Sequence, residues 1–451
     1  MAGTSGRRRT LEPRPSAQCE SIDGVLLLHL IPATKLPRES RPRHLSVGGP
    51  VSHPSSKVPL LAILPNLLPL STLLSTMSTN PSFVLRAVED VVYEERPIPD
   101  ILDDEVLVEV KKTGICGSDV HYLVAGRIGD FIVKDPMVLG HESSGLISKV
   151  GKNVHTLQPG DRVAMEPGAT CRVCEDCKRG RYELCPDIIF AATPPYDGTL
   201  ARYYRIPADL CYKLPAQLSL EDGAMMEPLS VAVHAVANIA GLKTNQSVVV
   251  FGAGPVGLLC LAVARALGAS RIISVDIVPS RLEFAKQYAA TETYLPPKPE
   301  PNESKLAYSE RNARTMKEKL GIEERGPKSI DLVVDASGAE VSIQTGIIVA
   351  RRGGTYVQVG MGSAEITIPI TTLLVKELNF KGSFRYGPGD YPLALALVSQ
   401  GKIDLKPLVT HRYPFTAAIE AFETTKAGKS ADGKGVIKAI ISGPDVSPND
   451  H

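Results

Sequence analysis

From Phe83 to Met165 the chain alternates short apolar runs with Gly and Pro turns. Val91–Glu94, Glu105–Thr113, Gly145–Val150 and Arg162–Met165 carry the two-residue period of half-buried strands, clearest in Val106, Val108 and Val110. They predict an all-β, barrel-like domain that carries loops. Around Gly223–Ala240 the apolar spacing becomes helical, and from Ser247 strand and helix patterns alternate. Val248–Phe251 is a continuous apolar run, the pattern of a strand covered on both faces of a parallel sheet. Pro255–Leu267 predicts an apolar helix, Arg271–Val275 a second strand and Pro279–Tyr288 a second helix, while Asp331–Asp335 and Gly354–Val359 supply further strands. Pro296–Lys328 is polar and reads as a surface loop with a short helix around Ala313–Leu320. A helix at Tyr391–Ser399 and a last strand at Gly435–Ile441 are expected to return to the first domain. The fold class is α/β with two domains, and no internal repeat is visible.

The 451 residues are enough for more than one core. A net charge of +1 provides no global field toward nucleic acid or an anionic membrane, so neither is expected as a partner. Residues before Met77 differ from the rest. Arg7–Arg8–Arg9, many Pro and Ser and few acids describe a segment unable to bury a core, expected to be a disordered extension or the product of an upstream start codon. A mitochondrial transit peptide is the alternative, and the cytoplasm the expected location. Val58–Leu74 is apolar but interrupted by Pro59, Pro65, Asn66 and Pro69, unlike a membrane span.

Three motifs carry chemistry. Cys171, Cys174, Cys177 and Cys185 form a C-x₂-C-x₂-C-x₇-C run, half of the chain's eight cysteines in one short polar segment. Four thiolates at this spacing close a tetrahedral zinc site with no position left for substrate, so the site is structural. Gly252-Ala-Gly254-Pro-Val256-Gly257 follows an apolar strand and opens an apolar helix, the setting in which G-x-G-x-x-G binds a dinucleotide pyrophosphate. Asp276 ends the next strand, where a carboxylate accepts the ribose hydroxyls of NAD and repels the 2′-phosphate of NADP; nearby Arg281 leaves NADP as an alternative. Upstream, Cys116, His141 and Glu142 offer a thiolate, an imidazole and a carboxylate suited to zinc with an open position, and Glu227 could reach the same metal directly or through water.

Taken together, G-I-C-G-S-D-V-H, G-H-E-S-S-G, the four-cysteine lobe, F-A-A-T-P-P-Y-D-G, M-E-P-L-S-V-A-V-H and V-F-G-A-G-P-V-G-L-L resemble the zinc-dependent medium-chain dehydrogenases. Within that family they are most similar to the polyol branch of sorbitol and fungal xylitol dehydrogenases, from about Met77 nearly to the C-terminus. The resemblance implies a GroES-like catalytic barrel over 77–229 with 383–451, and a doubly wound Rossmann domain over 230–382. It implies Cys116, His141 and Glu142 as ligands of a catalytic zinc, Glu227 linked to it through water, and Asp119 orienting His141. Ser118 and His121 become candidates for a proton relay. Tyr122, Phe190, Glu227, Arg385 and Tyr386 match substrate-pocket positions. Gly252, Gly254, Val256, Gly257, Asp276, Arg281, Val359, Gly360, Met361, Ser383, Phe384 and Arg385 match coenzyme contacts. The complete cysteine lobe, which animal sorbitol dehydrogenases lack in part, implies two zinc ions per subunit.

The expected activity is NAD-linked oxidation of a polyol secondary alcohol, xylitol to D-xylulose before L-arabinitol or sorbitol. The expected assembly is a homo-oligomer, a tetramer or dimer. Two other readings compete. A non-catalytic dinucleotide-binding protein is disfavoured by intact Cys116, His141 and Glu142. A nucleic-acid zinc module is disfavoured because Glu175, Asp176 and Glu183 offset the lobe's basic residues.

Overall fold

The protein is described by a computed structural model over residues 79–450. The expectation for residues 1–76 lies outside the described residues. Among those described, no helix is long and apolar enough to cross a membrane.

One sheet is mixed and built around Glu105–Gly114, the strand whose valine alternation is so regular. Its order runs Cys211–Lys213, Arg162–Met165, Glu142–Val150, Glu105–Gly114, Lys438–Ser442 and Val409–Tyr413. Tyr203–Pro207 pairs with the first half of Glu105–Gly114, and Lys438–Ser442 pairs antiparallel with Lys112, Thr113 and Gly114 at the end of the strand. The last strand therefore returns to the first sheet, as its position after the second βα pattern predicts. Glu142–Val150 begins three residues earlier than the periodicity indicates, so Glu142 is a strand residue paired with Gly114 rather than a loop acid.

The second sheet is wholly parallel. Its order is Glu292–Tyr294, Arg271–Val275, Ser247–Phe251, Ile330–Asp335, Ala350–Gln358 and Asn379–Gly382. The chain leaves Ser247–Phe251 in one direction and later resumes on its other side, which opens a crevice beyond the carboxyl ends of Ser247–Phe251 and Ile330–Asp335. Ser247–Phe251 is buried throughout, which accounts for its unbroken apolar run.

Two elements differ from the sequence expectation. The segment expected as mostly loop holds a 16-residue helix, Lys305–Leu320. Ser304 caps it by accepting from the Ala307 amide at 3.2 Å. Its buried face is Tyr308, Ser309, Asn312, Ala313 and Met316, at helical spacing but half polar. Ser309 bonds Gln344 and Asn312 bonds both Tyr294 and Thr345, so the polar members are satisfied inside and the apolar period is hidden in the sequence. The helical stretch expected at Gly223–Ala240 divides into Leu220–Ala224, Met226–Val233 and a π-helical turn, His234–Ile239.

Candidate active site and metal centres

Cys116, His141 and Glu142 come together, with one donor atom of each within 4.8 Å of the others. Asp119 organises the first two. It is fully buried one turn into helix Gly117–Ala125; its Oδ2 accepts from the Cys116 amide at 3.2 Å and its Oδ1 from the Gly140 amide at 3.0 Å. Oδ1 also lies 3.3 Å from His141 Nδ1. A carboxylate there keeps the ring proton on Nδ1 and leaves the Nε2 lone pair for a metal. Without a metal, burial works against a charged His141 but the Asp119 carboxylate outweighs it and holds the imidazole well above its usual range, so a metal binding Nε2 displaces a proton from it.

Glu142 is arranged across three strands. Gly114 pairs with Glu142 on one side and with Ile440 on the other. A Cβ at Gly114 would collide with Glu142 Oε2, so the missing side chain is the space the carboxylate occupies. Beyond it Lys438 Nζ donates to both Glu142 oxygens, at 2.7 and 2.6 Å, and to Ile115 O at 3.1 Å. Lys438 is missed by the sequence reading, which has no signal linking residues 296 positions apart.

Glu227 lies in the first turn of Met226–Val233, outside the three-donor group but close enough for His141 and Glu142 to act on it. Burial pushes its carboxyl up to about 7, with His141 pulling the other way. The Tyr386 hydroxyl is buried beside it without a well-formed hydrogen bond. Arg385 stands at φ 54° with its guanidinium 3.8 Å above the Phe190 ring and 4.7 Å from the Phe384 ring. Phe190 in turn packs 5.9 Å from the His141 ring and 6.4 Å from Tyr386. Tyr122 is buried next to Thr193, Arg385 and His141. Ser118 Oγ is 3.5 Å from His141 Nε2, whereas His121 is exposed on the same helix and no hydrogen bond joins the two.

The glycine fingerprint has the geometry its sequence predicts. Gly252 sits at φ 92°, a Cβ at Gly257 would strike Gly252 O, and open space surrounds the place where a Cβ of Gly254 would stand. The helix Pro255–Ala266 starts there with its amides aimed outward. Asp276 is held by the amides of Ala253 and Val278, each 2.8 Å from a carboxylate oxygen; Arg281 is exposed. The opposite wall is set by Asp335, which sequence reading treats only as a strand end. It accepts from Ser337, Gly338 and Gln358 and brings Gly338 against Gly360 and Met361. Ser383 follows directly, its amide on Gln358 O at 2.9 Å and its buried hydroxyl without a partner. Val359, Gly360 and Met361 line the crevice, and Ser383, bonded at Gln358, leads through Phe384 to Arg385, whose guanidinium covers Phe190 beside His141. A dinucleotide fits this crevice: the glycine cradle is open, the helix start is free and Ser383 keeps an unpaired hydroxyl.

Cys171, Cys174, Cys177 and Cys185 converge equally, with sulfur atoms within 4.8 Å and no disulfide among them. Their own loop solvates the sulfurs: the amides of Cys174, Cys177 and Cys171 point at Cys171, Cys174 and Cys185 at 3.3–3.5 Å. Backbone N–H groups of Val173 and Cys174 bring the Cys171 thiol down to about 7. Both donor sets fit zinc, one all-sulfur and closed, the other mixed and facing the cleft.

Residues 102–216 match the family described as alcohol dehydrogenase GroES-like domain, and residues 255–400 match that described as zinc-binding dehydrogenase. The chain is 57% identical over 377 residues to D-xylulose reductase A of Aspergillus niger, covering 82% of this chain and all of that protein. Among solved structures, L-idonate 5-dehydrogenase from Escherichia coli superposes with a TM-score of 0.71 at 30% identity, covering 81% of this chain and 98% of that one. An Escherichia coli alcohol dehydrogenase solved with NADH does so with a TM-score of 0.71 at 26% identity, over 81% of this chain and 99% of that one. The chain belongs to the zinc-dependent medium-chain dehydrogenases, enzymes that join zinc to a nicotinamide coenzyme, and within them to the polyol branch.

Proposed function

We propose that this enzyme interconverts xylitol and D-xylulose with NAD, oxidising the secondary alcohol at C2. The carrying observation is the unbroken path from the dinucleotide crevice through Ser383–Tyr386 and Phe190 to the three-donor cluster. The relatives named D-xylulose reductase support the choice of polyol. Zinc held by Cys116, His141 and Glu142 supplies Lewis acidity to the polyol hydroxyl, and NAD in the crevice supplies the two-electron acceptor.

The chain's own residues do the rest. Asp119 fixes the His141 tautomer and the Cys116 backbone together. Glu227, whose carboxyl is raised to about 7, would accept a hydrogen bond from a polyol hydroxyl beside the Cys116, His141 and Glu142 donors. Arg385, clamped between Phe190 and Phe384, aims its donors at the remaining polyol hydroxyls. Tyr122, Phe190 and Tyr386 exclude bulk water. Ser118 Oγ takes the hydroxyl proton while its own passes, through an intervening water or ribose hydroxyl, to His121, exposed one turn on. Asp276, already locked by two amides, selects NAD over NADP.

We assign two zinc ions per subunit, the second closing the cysteine lobe, and domains over 77–229 with 383–451 and over 230–382. A homo-oligomer, tetramer or dimer, is supported by the edge strand Asn379–Gly382, which is exposed throughout and paired on one side, with Phe380, Ile370, Leu374 and Val375 exposed. Seven unpaired described cysteines suit the reducing cytoplasm. Rates on xylitol, L-arabinitol, sorbitol and ethanol with NAD and NADP test the reading. Xylitol with NAD should have the highest kcat/KM, and ethanol in first place would overturn it.

A further inference from the structure

His234 belongs to the M-E-P-L-S-V-A-V-H motif, yet it has no place in the chemistry above. It is buried, and its Nδ1 lies 2.8 Å from Asp390 Oδ2. Asp390 is completely buried and takes two more donors: the Gly387 amide at 2.6 Å and Asn238 Nδ2 at 2.5 Å. His234 and Asn238 both lie on the π-helical turn His234–Ile239, where Ala240 N reaches back to Ala235 O. A π turn is rare and costs regular helix geometry, so it persists where something is gained from the altered side-chain directions. Here those directions bring two donors onto one carboxylate.

The carboxylate holds a particular piece of chain. Asp390 opens helix Asp390–Ser399, and the residues just before it are Arg385 and Tyr386, then Gly387 to Gly389. That stretch turns sharply: Arg385 stands at φ 54°, costly for a residue with a side chain, and Gly389 at φ 88°, open to glycine. A left-handed arginine is maintained only when its surroundings over-determine it. Gly387 is tightly enclosed, since a Cβ there would come within 3.0 Å of Glu183 Oε2 and 3.6 Å of His234 Cε1. The helix that carries Glu227 at its start thus leads straight into the turn that grips the Arg385–Tyr386 segment.

We infer that Asp390, gripped by His234, Asn238 and the Gly387 amide, is a positioning residue that sets Arg385 and Tyr386 against Glu227 and so governs polyol recognition. Asp390 touches neither substrate nor coenzyme. Its effect falls on the segment that carries the Arg385 and Tyr386 donors, so its loss weakens binding of the polyol without touching the reacting atoms. The inference rests on Arg385 and Tyr386 being the polyol-binding residues.

The test uses the full-length zinc enzyme with NAD. In Asp390→Asn the amide turns a donor toward Gly387 N–H or His234, and KM for xylitol should rise about tenfold or more while kcat stays within about threefold, the signature of lost binding common to ground and transition states. The NADH dissociation constant, read by fluorescence, should not move. His234→Asn places a side-chain amide where Nδ1 was and should keep KM near wild type, whereas His234→Phe should behave like Asp390→Asn. Should Asp390→Asn not fold, Asn238→Ala removes one donor and should raise KM about threefold. Hydrogen exchange without polyol adds an arm independent of substrate identity: amides of 383–389 should exchange faster in the variants than in wild type. If wild type does not turn over xylitol, the proposed substrate fails while the exchange result still decides the clamp. An unchanged KM in the folded variants, a fall in kcat alone, or unchanged exchange at 383–389 would overturn the inference.

Discussion

The two cysteine-bearing centres are opposite solutions to gathering metal donors. The lobe draws four sulfurs from 15 consecutive positions, Cys171 to Cys185, three of them partly exposed, and its own backbone amides solvate them. The cleft centre draws its donors from Cys116 and from His141–Glu142, and depends on Asp119, Gly114 and Lys438 to hold them. Its imidazole and carboxylate are buried and Cys116 half-buried, and the buried pair each take a charged partner from elsewhere in the chain. A closed site can be local, whereas a site that keeps one position open must be braced by the fold.

That contrast can be tested by removing one element at a time. Cys116→Ala should cost more than about 1,000-fold in kcat/KM while NADH fluorescence reports unchanged coenzyme affinity; an active variant would mean the cleft centre is not where the reaction occurs. Lys438→Met removes the ammonium that pairs both Glu142 oxygens, and urea unfolding of the chelated protein, where no metal replaces that charge, should show a loss of about 3–5 kcal/mol. A loss below about 1 kcal/mol would show that Glu142 is held well enough without it. Cys174→Ser should lower the zinc content per subunit by elemental analysis and lower the melting temperature, yet leave kcat within about fivefold, if the lobe holds a structural ion as proposed. An equal fall in kcat would erase the distinction between the centres.

The smallest effect concerns pH. Burial raises the folded Glu227 carboxyl from 4.5 to about 7, so between these values the folded state binds the extra proton. Stability of the chelated protein should therefore be greatest at the acid end and fall as pH rises through about 7, by on the order of 3 kcal/mol from this group. Glu227→Gln should flatten that slope in calorimetric scans; an unaltered slope would assign the titration to other groups.

Much of the site is legible in the chain because its signals are short. The cysteine spacing, the glycine turn before an apolar helix and the neighbouring His141 and Glu142 all lie within local reach. Lys438 and Asp390 leave no such trace, since each acts across the fold on residues far away in sequence. The helix Lys305–Leu320 was obscured for a related reason. Its buried face includes Ser309 and Asn312, which look solvent-facing until Gln344, Thr345 and Tyr294 supply their hydrogen bonds.

By itself the sequence determined the alternation of elements, the kinds of donor available and the coenzyme cradle, because periodicity and turn chemistry are properties of neighbouring residues. Only the tertiary structure decided which carboxylates are neutralised, which are raised toward neutrality and which segment is held in a left-handed turn. Those outcomes depend on burial and on the charge standing opposite, and both exist only after distant strands have come together.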